Sequence, residues 1–436
     1  MNFARLNHIL IPSTSAERER WRRTILGRMS APGWWIYGAL SEEGRALSVL
    51  VLFIGTAGLD VSSTQVYVLW ALLIGLLVGS MAVRGWLALD GVRAVVHVAP
   101  RVSVDTLTTF EVELSSESTK DHQGIRIRGP FLPWDGTWLD SQQRVADLPA
   151  GERARRELTA RFVQRGRHHL DPFRAAALVP FGLAVGPSIA TETCHFMVVP
   201  KIAHVESLTL PLQSRERPGG KLEAARSGET MDLLGVRPYR RGDPIRDLHP
   251  KTWARRGTPH VREYQQEHFS RTVVLVDDER AGSEAAFEAL ISLAAGVVAQ
   301  ATRGNAIVEL VLASEAESHV VVDRSGAAFD RALDVLAEVG TDAKHGGADI
   351  LERLAPRLGD VSGLVFVTGS ASDDRRALVE AIRQRGVACL SLRVADDLLP
   401  AWLARLTRPR EEASLAIGGE KVVAASDVTA GRALRL

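Results

Sequence analysis

Four residues in one short stretch carry side chains that acid–base or metal chemistry uses: Asp243, Asp247, His249 and His260. Carboxylates and imidazoles this close in sequence can hold a metal or move a proton. Around them stand Gly228, Glu229, Arg237, Tyr239, Gly242, Arg246, Trp253, Arg255, Arg262 and Glu263, all within residues 227–267. A linker would be richer in Ser and Gly. A plain amphipathic helix would place apolar residues every three or four positions, and this stretch does not.

Three readings of the segment stay open. In the first, Arg237, Arg246, Arg255 and Arg262 pair with Glu229, Asp243, Asp247 and Glu263 and lock the segment onto the domain that follows, since Arg matches carboxylates with paired hydrogen bonds. In the second, the segment docks a partner protein, with Tyr239 and Trp253 as anchors. In the third it is a hydrolase or nuclease site on Asp243, Asp247 and His249. No Cys-His pair, Gly-x-Ser-x-Gly elbow, His-Glu-x-x-His or Gly-Lys-Thr loop accompanies those residues, which weighs against the third.

The elements that must position this segment lie on both sides of it. Downstream, strands and helices alternate. Strands are expected at Thr272–Val276, Ala306–Ala313, His319–Val322, Leu364–Thr368 and Val387–Leu392, and helices at Ser283–Arg303, Ala327–Val339 and Asp374–Arg385. Phe287, Leu290, Ile291, Ala294 and Val298 form one face of the first helix. This order predicts a mostly parallel sheet with helices on both faces, over residues 270–408. Residues 409–436 read as one or two further short strands. Upstream, residues 92–201 show period-two runs, such as Phe110, Val112 and Leu114 alternating with Glu111, Glu113 and Ser115, separated by Gly- and Pro-containing turns. That pattern predicts a β-sandwich-like unit. His168 and His169 are adjacent there, so they face opposite sides of a strand and do not share one metal.

Two apolar runs precede the β-rich unit, at Ala46–Leu59 and Val66–Val83, joined by the polar Asp60–Gln65. The second has the length of a membrane span and the first is shorter. Together they predict a two-helix transmembrane hairpin at 46–83. Arg5, Arg18, Arg20, Arg22, Arg23, Arg28 and Arg45 precede it and Arg84, Arg93 and Arg101 follow, whereas the connecting loop has no Lys or Arg. By the positive-inside rule both ends, including the Arg-rich segment 1–45, lie in the cytoplasm. Trp34, Trp35, Tyr37 and Trp86 flank the runs, where aromatic residues settle at the bilayer interface. Gly75 and Gly79 form a small-residue pair that permits close helix approach. The formal net charge of +1 gives no global field favouring nucleic acid. Cys194 and Cys389 are expected as reduced, buried single thiols.

The motif in residues 227–267 resembles the signature of the "domain of unknown function 58" family of bacterial proteins. Gly228-Glu229 matches its start, Arg237, Tyr239, Gly242 and Asp243 its middle, and Arg246, Leu248, Ala254-Arg255 and Val261-Arg262-Glu263 its end. Pro250 stands where the family usually has Trp, with Trp253 three residues later. Pro180-Phe181-Gly182-Leu183 resembles another family turn, with Val179 in place of the usual Asp; Phe181 is expected there as a core anchor. The resemblance implies a von Willebrand factor A-like α/β domain and a partner among MoxR-type AAA+ ATPases. Such domains often hold Mg²⁺ through Asp-x-Ser-x-Ser after the first strand. Here the corresponding residues run Asp277-Asp278-Glu279-Arg280, so that site is degenerate, with Asp277, Asp278 and Asp373 as the weak candidates for a nonstandard one. No cofactor is implied.

The expectation is therefore a multidomain membrane protein of the cell inner membrane: transmembrane hairpin, β-sandwich-like domain, signature segment and α/β domain. The implied function is that of a non-enzymatic, membrane-tethered adaptor acting with the ATPase in protein assembly or maturation. The alternatives are the hydrolase or nuclease above and a membrane-anchored protein-binding module without an ATPase.

Overall fold

A computed structural model describes residues 20, 24–57, 64–139, 143–209, 231–266, 271–303, 307–314, 319–322, 326–340, 345–396, 414–417 and 420–436. The chain divides into two compact units, Met1–Pro200 and Lys201–Leu436.

Ahead of the strands, the described residues of the first unit include helices α1 (Ile25–Ala39), α2 (Glu42–Ala57) and α3 (Thr64–Val83). The apolar helical stretch Gln65–Leu87, which takes in all of α3 but Thr64, is long and apolar enough to cross a membrane, with only 11% of its most apolar window buried. Helix α2 has 16 residues, a length of about 24 Å, short of a bilayer core of about 30 Å. It still exposes Val49, Leu50, Leu52 and Phe53. Most of the polar turn expected between the two helices lies outside the described residues.

Eleven strands follow: β1 (Val92–His97), β2 (Arg101–Ser103), β3 (Leu107–Ser116), β4 (His122–Arg128), β5 (Gly136–Trp138), β6 (Gln143–Leu148), β7 (Arg153–Phe162), β8 (Gly166–Leu170), β9 (Arg174–Ala177), β10 (Ile189–Ala190) and β11 (Cys194–Val199). They form sheets ordered β1-β3-β7-β5, β10-β9-β4-β6 and β2-β11-β8. Phe110, Val112 and Leu114 point inward from β3 as their alternation predicts. They share one core with Ile125, Ile127, Leu158, Phe173 and Phe196. His168 turns inward, its Nε2 2.7 Å from Asp135 Oδ2. His169 faces the other way, against His195.

The second unit holds β12 (Val205–Ser207), β13 (Met231–Pro238), α4 (Pro250–Arg256), β14 (His260–Gln266), β15 (Arg271–Val276), α5 (Glu284–Arg303), β16 (Ile307–Leu312), β17 (His319–Val322), α6 (Gly326–Glu338), α7 (Gly347–Leu354), β18 (Gly363–Thr368), α8 (Asp373–Gln384), β19 (Ala388–Ala395), β20 (Ser414–Ile417), β21 (Glu420–Ala424), α9 (Ala425–Thr429) and β22 (Leu434–Arg435). Its main sheet runs β17-β16-β15-β18-β19-β21-β20. The inner five strands are parallel and the two edge strands antiparallel. Every residue of β18 is buried, as expected for a parallel strand covered on both faces. Val273, Leu275, Leu364 and Phe366 pack with Ile350, Leu354, Leu378 and Ile382 of α7 and α8. Helix α5 is apolar and long enough to span a bilayer, yet it is mostly buried and serves as a core helix.

Two features differ from the sequence expectation. Strands β20 and β21 do not form a separate C-terminal piece; they extend the main sheet through β21 pairing with β19. Helix α7 is an additional element between α6 and β18. The two cysteines are free and buried, and burial pushes the Cys194 thiol to about 11 and Cys389 to about 12.

Candidate functional site

The signature segment folds as a hairpin with a long insertion. Strands β13 and β14 pair antiparallel, with Arg237 opposite Val261 and Pro238 opposite His260. Among the described residues β13 pairs with β14 alone, whereas β14 also meets the insertion: the His249 N–H donates to the His260 carbonyl at 2.8 Å, beside a bridge between Leu248 and Val261. Gly228 and Glu229 lie outside the described residues, as does the side chain of Glu263.

The insertion is held by its own polar groups. Arg237 grips Asp243 with two parallel hydrogen bonds, Nη1 to Oδ2 at 2.7 Å and Nη2 to Oδ1 at 2.8 Å. The Arg240 N–H donates to Asp243 Oδ2 at 2.8 Å. These two contacts hold the Asp243 carboxyl down at about 2. Gly242, at φ 113, makes the turn that lets Asp243 fold back. A short turn at Ile245–Asp247 leads to α4. His249 caps that helix: its Nδ1 accepts from the Thr252 N–H at 3.2 Å. Pro250 occupies the first helical position, where its missing N–H leaves no intrahelical bond unmade. The departure from the family pattern therefore fits a helix start. Gly257, at φ 72, ends α4 with its N–H on the Trp253 carbonyl. His260 is buried and its Nδ1 lies 2.8 Å from the Thr258 carbonyl.

The four residues of possible acid–base chemistry are thus not brought to one centre. Asp243 is held by Arg237, Asp247 lies half-buried in the short turn before α4, His249 caps that helix and His260 faces a backbone carbonyl. No group of three or more potential metal ligands gathers among the described residues. The anticipated network is also smaller than its residues suggest. Arg246, Arg255 and Arg262 are exposed and make no ion pair with a described carboxylate. The Arg237–Asp243 pair closes the hairpin on itself instead of fastening it to the α/β sheet. The outward face carries Tyr239 at 37%, Trp253 at 45% and Ile245 at 76% exposure. Ile245 lies outside the motif pattern; its signal is an apolar residue between Asp243 and Asp247 in an otherwise charged turn.

A second constellation occupies the C-terminal edge of the parallel sheet. Asp277, at the end of β15, is fully buried. Arg375 donates to it from Nε at 2.8 Å and from Nη2 at 3.1 Å. Thr368 Oγ1, at the end of β18, donates to it at 2.6 Å. The remaining N–H groups of Arg375 reach Glu279 at 2.7 Å, Asp374 at 3.2 Å and the His345 carbonyl at 2.8 Å. All five guanidinium donors have acceptors. Burial works against the charge on Arg375, but the Asp277 pair outweighs it and the pKa rises.

The weak metal candidates do not converge. Asp278 accepts from the Ser314 N–H at 2.9 Å, and Asp373 is exposed and pairs with Arg376 at 2.8 Å. A guanidinium sits where Asp277 and Thr368 would offer oxygens to a cation. Arg375 is the site residue that the motif pattern omits. Its signal is positional: a basic side chain in the first turn of α8 opposes the helix dipole unless carboxylates receive it.

No curated protein matches the chain. Among solved structures it is similar to a CARDB domain from Pyrococcus furiosus, at 13% identity, 25% of this chain, 87% of that chain and a TM-score of 0.18. It is similar to a FixG-related protein from Vibrio parahaemolyticus at 11% identity, 25% of this chain, 97% of that chain and a TM-score of 0.18. Trypsin-activated alpha-2-macroglobulin from Escherichia coli matches at 12% identity, 62% of this chain, 18% of that chain and a TM-score of 0.22. Likeness at this level carries no argument about fold or function. The family comparison is specific: residues 235–403, from the signature hairpin into the α/β sheet, match the family described as "Protein of unknown function DUF58".

Proposed function

We propose that this protein is a non-enzymatic adaptor tethered to the cell inner membrane, which docks a MoxR-type AAA+ ATPase through its signature hairpin and presents other proteins for assembly or maturation. The observation that carries this reading is the hairpin's division of labour. Its internal polar groups bind one another, while Tyr239, Ile245 and Trp253 stand outward beside exposed Arg246, Arg255 and Arg262. Exposed Trp, Tyr and Arg are the residue types that dominate binding energy at protein interfaces. The tether is supported by the apolar, exposed α3 and by α2 beside it. The excess of Arg on the outer flanks of both helices supports cytoplasmic termini. The order of strands and helices in the second unit supports a von Willebrand A-like domain, and Arg375 in the carboxylate cluster supports one that works without a metal.

The test is co-purification from native membranes with ATP hydrolysis blocked, followed by mass spectrometry. A MoxR-type ATPase recovered with the wild type and lost from a Trp253→Ala, Ile245→Ala double variant supports the adaptor. Recovery unchanged by the variant moves the docking surface elsewhere; absence of any AAA+ protein overturns the partnership. Topology is tested with a cysteine at Ser63, which should label from the non-cytoplasmic face of the membrane; labelling only after the cytoplasmic side is made accessible would overturn the topology.

A further inference from the structure

The loop between β9 and β10 carries a large aromatic residue in an unfavourable conformation. Phe181 has φ 68 and ψ 0 and is 79% exposed. This corrects the expectation of a core anchor. A left-handed backbone is rare for a bulky side chain and persists only where surrounding structure imposes it. The surroundings here do impose it. The Val179 N–H donates to the Ala184 carbonyl at 3.0 Å and the Gly182 N–H to the Val179 carbonyl at 2.9 Å. The loop is also tied to the helices: the Val185 N–H reaches the Ala39 carbonyl at 2.9 Å and the Ser41 N–H reaches the Leu183 carbonyl at 3.1 Å. Leu183 is buried with Leu40, Val51 and Leu77. At Gly44 of α2 any Cβ would strike the Leu183 carbonyl. Phe181 itself shares an apolar crevice with Gly75, Leu76, Gly79 and Val83 of α3.

The position of the ring relative to the membrane reading is informative. Arg84 follows α3 directly, donates from Nε to the Val185 carbonyl at 3.2 Å, and lies 5.2 Å over the Trp35 ring. Arg and Trp together mark the headgroup level. Gly79 lies five residues before Arg84, about 7–8 Å deeper along the helix. An aromatic held at that level lies at the boundary between headgroups and acyl chains. A backbone entering lipid must satisfy its polar groups internally; the bonds above do so for Val179, Gly182 and Val185, and Pro180 has no N–H to satisfy.

We propose that the Pro180–Phe181–Gly182 loop is a bilayer anchor: Phe181 inserts into the membrane beside the last two turns of α3. The anchor rests on the tethered reading above. It sets the β-rich part of the first unit against the lipid surface, so that the tether is a helix pair clamped by a lipid-inserted loop.

The experiment places an environment-sensitive fluorophore on Phe181→Cys, Val78→Cys and Val163→Cys variants of the full chain. The native cysteines are buried, and Val78 and Val163 are 59% and 56% exposed. Each is reconstituted into phosphatidylcholine–phosphatidylglycerol nanodiscs with nitroxide lipids labelled near the headgroup or near the chain end. The proposal expects position 181 to be quenched several-fold more than position 163, and more by the shallow nitroxide than by the deep one. Quenching at 78 with none at 181 overturns the anchor and leaves the tether standing. No quenching at either position overturns both. A photo-crosslinking phenylalanine analogue at 181 keeps the test independent of the cysteine variant's folding: it should attach to lipid, and its failure to do so while the protein remains folded overturns the anchor.

Discussion

The sheet edge and the signature hairpin treat arginine in opposite ways. At the sheet edge Arg375 is buried, and carboxylates and a carbonyl take every donor. In the hairpin Arg237 is consumed by Asp243, while Arg246, Arg255 and Arg262 face solvent. The C-terminal edge of an open parallel sheet is where such folds ordinarily place ligands. In this chain Arg375 occupies it, paired to Asp277 and Glu279, whereas the hairpin exposes Tyr239, Ile245 and Trp253, the surface proposed above for recognition. A motif rich in Asp, Arg and His is therefore not by itself an active site; what matters is which of its groups already have partners.

The comparison breaks first at Arg375. Replacing Arg375 with Ala leaves the buried Asp277 carboxylate without its cation, which costs about 3–5 kcal/mol. Urea denaturation of the full chain should show it, and a loss below about 1 kcal/mol would mean that the edge is not occupied as described. Next, Trp253→Ala should weaken ATPase binding by at least about 2 kcal/mol, while folding stability changes by less than about 0.5 kcal/mol. A large stability loss instead would make Trp253 a packing residue. A third test asks whether burial makes a pair structural elsewhere in the chain. Burial lowers the His168 pKa, but Asp135 at 2.7 Å more than offsets this, so it rises above 6.5. A raised pKa gives stability that is complete below 6.5 and lost as pH climbs through the folded value. Denaturation of wild type should show that loss, and an Asp135→Asn variant should not. The smallest effect is local. Asp243, lowered from 3.8 to about 2, supports the hairpin turn above pH 3.8 and ceases to do so as pH falls through 2. Protection of the Arg240 amide from hydrogen exchange should follow that course.

Much of the second unit is legible in the sequence because its strands are continuous apolar runs and its helices carry a clear apolar face. Phe287 through Val298 land in the core as their spacing predicts. The first unit's alternation at Phe110–Leu114 is equally direct. What stays hidden depends on pairings between distant residues. Arg375 meets Asp277 across 98 positions, and no local pattern announces that meeting. Phe181 reads as a core residue by its chemistry, and only the ties of its loop to Ala39 and Ser41 turn it outward. Pro250 looks like damage to a motif, yet the His249 cap beside it makes it a helix start.

The most direct test of the adaptor places a photo-crosslinking amino acid at Ile245 in living cells, with Asp373 on the exposed rim of the α/β sheet as the comparison site. The account predicts a crosslink to an AAA+ ATPase from Ile245 that disappears in the Trp253→Ala background, and none from Asp373. A crosslink from Asp373 and none from Ile245 would contradict it.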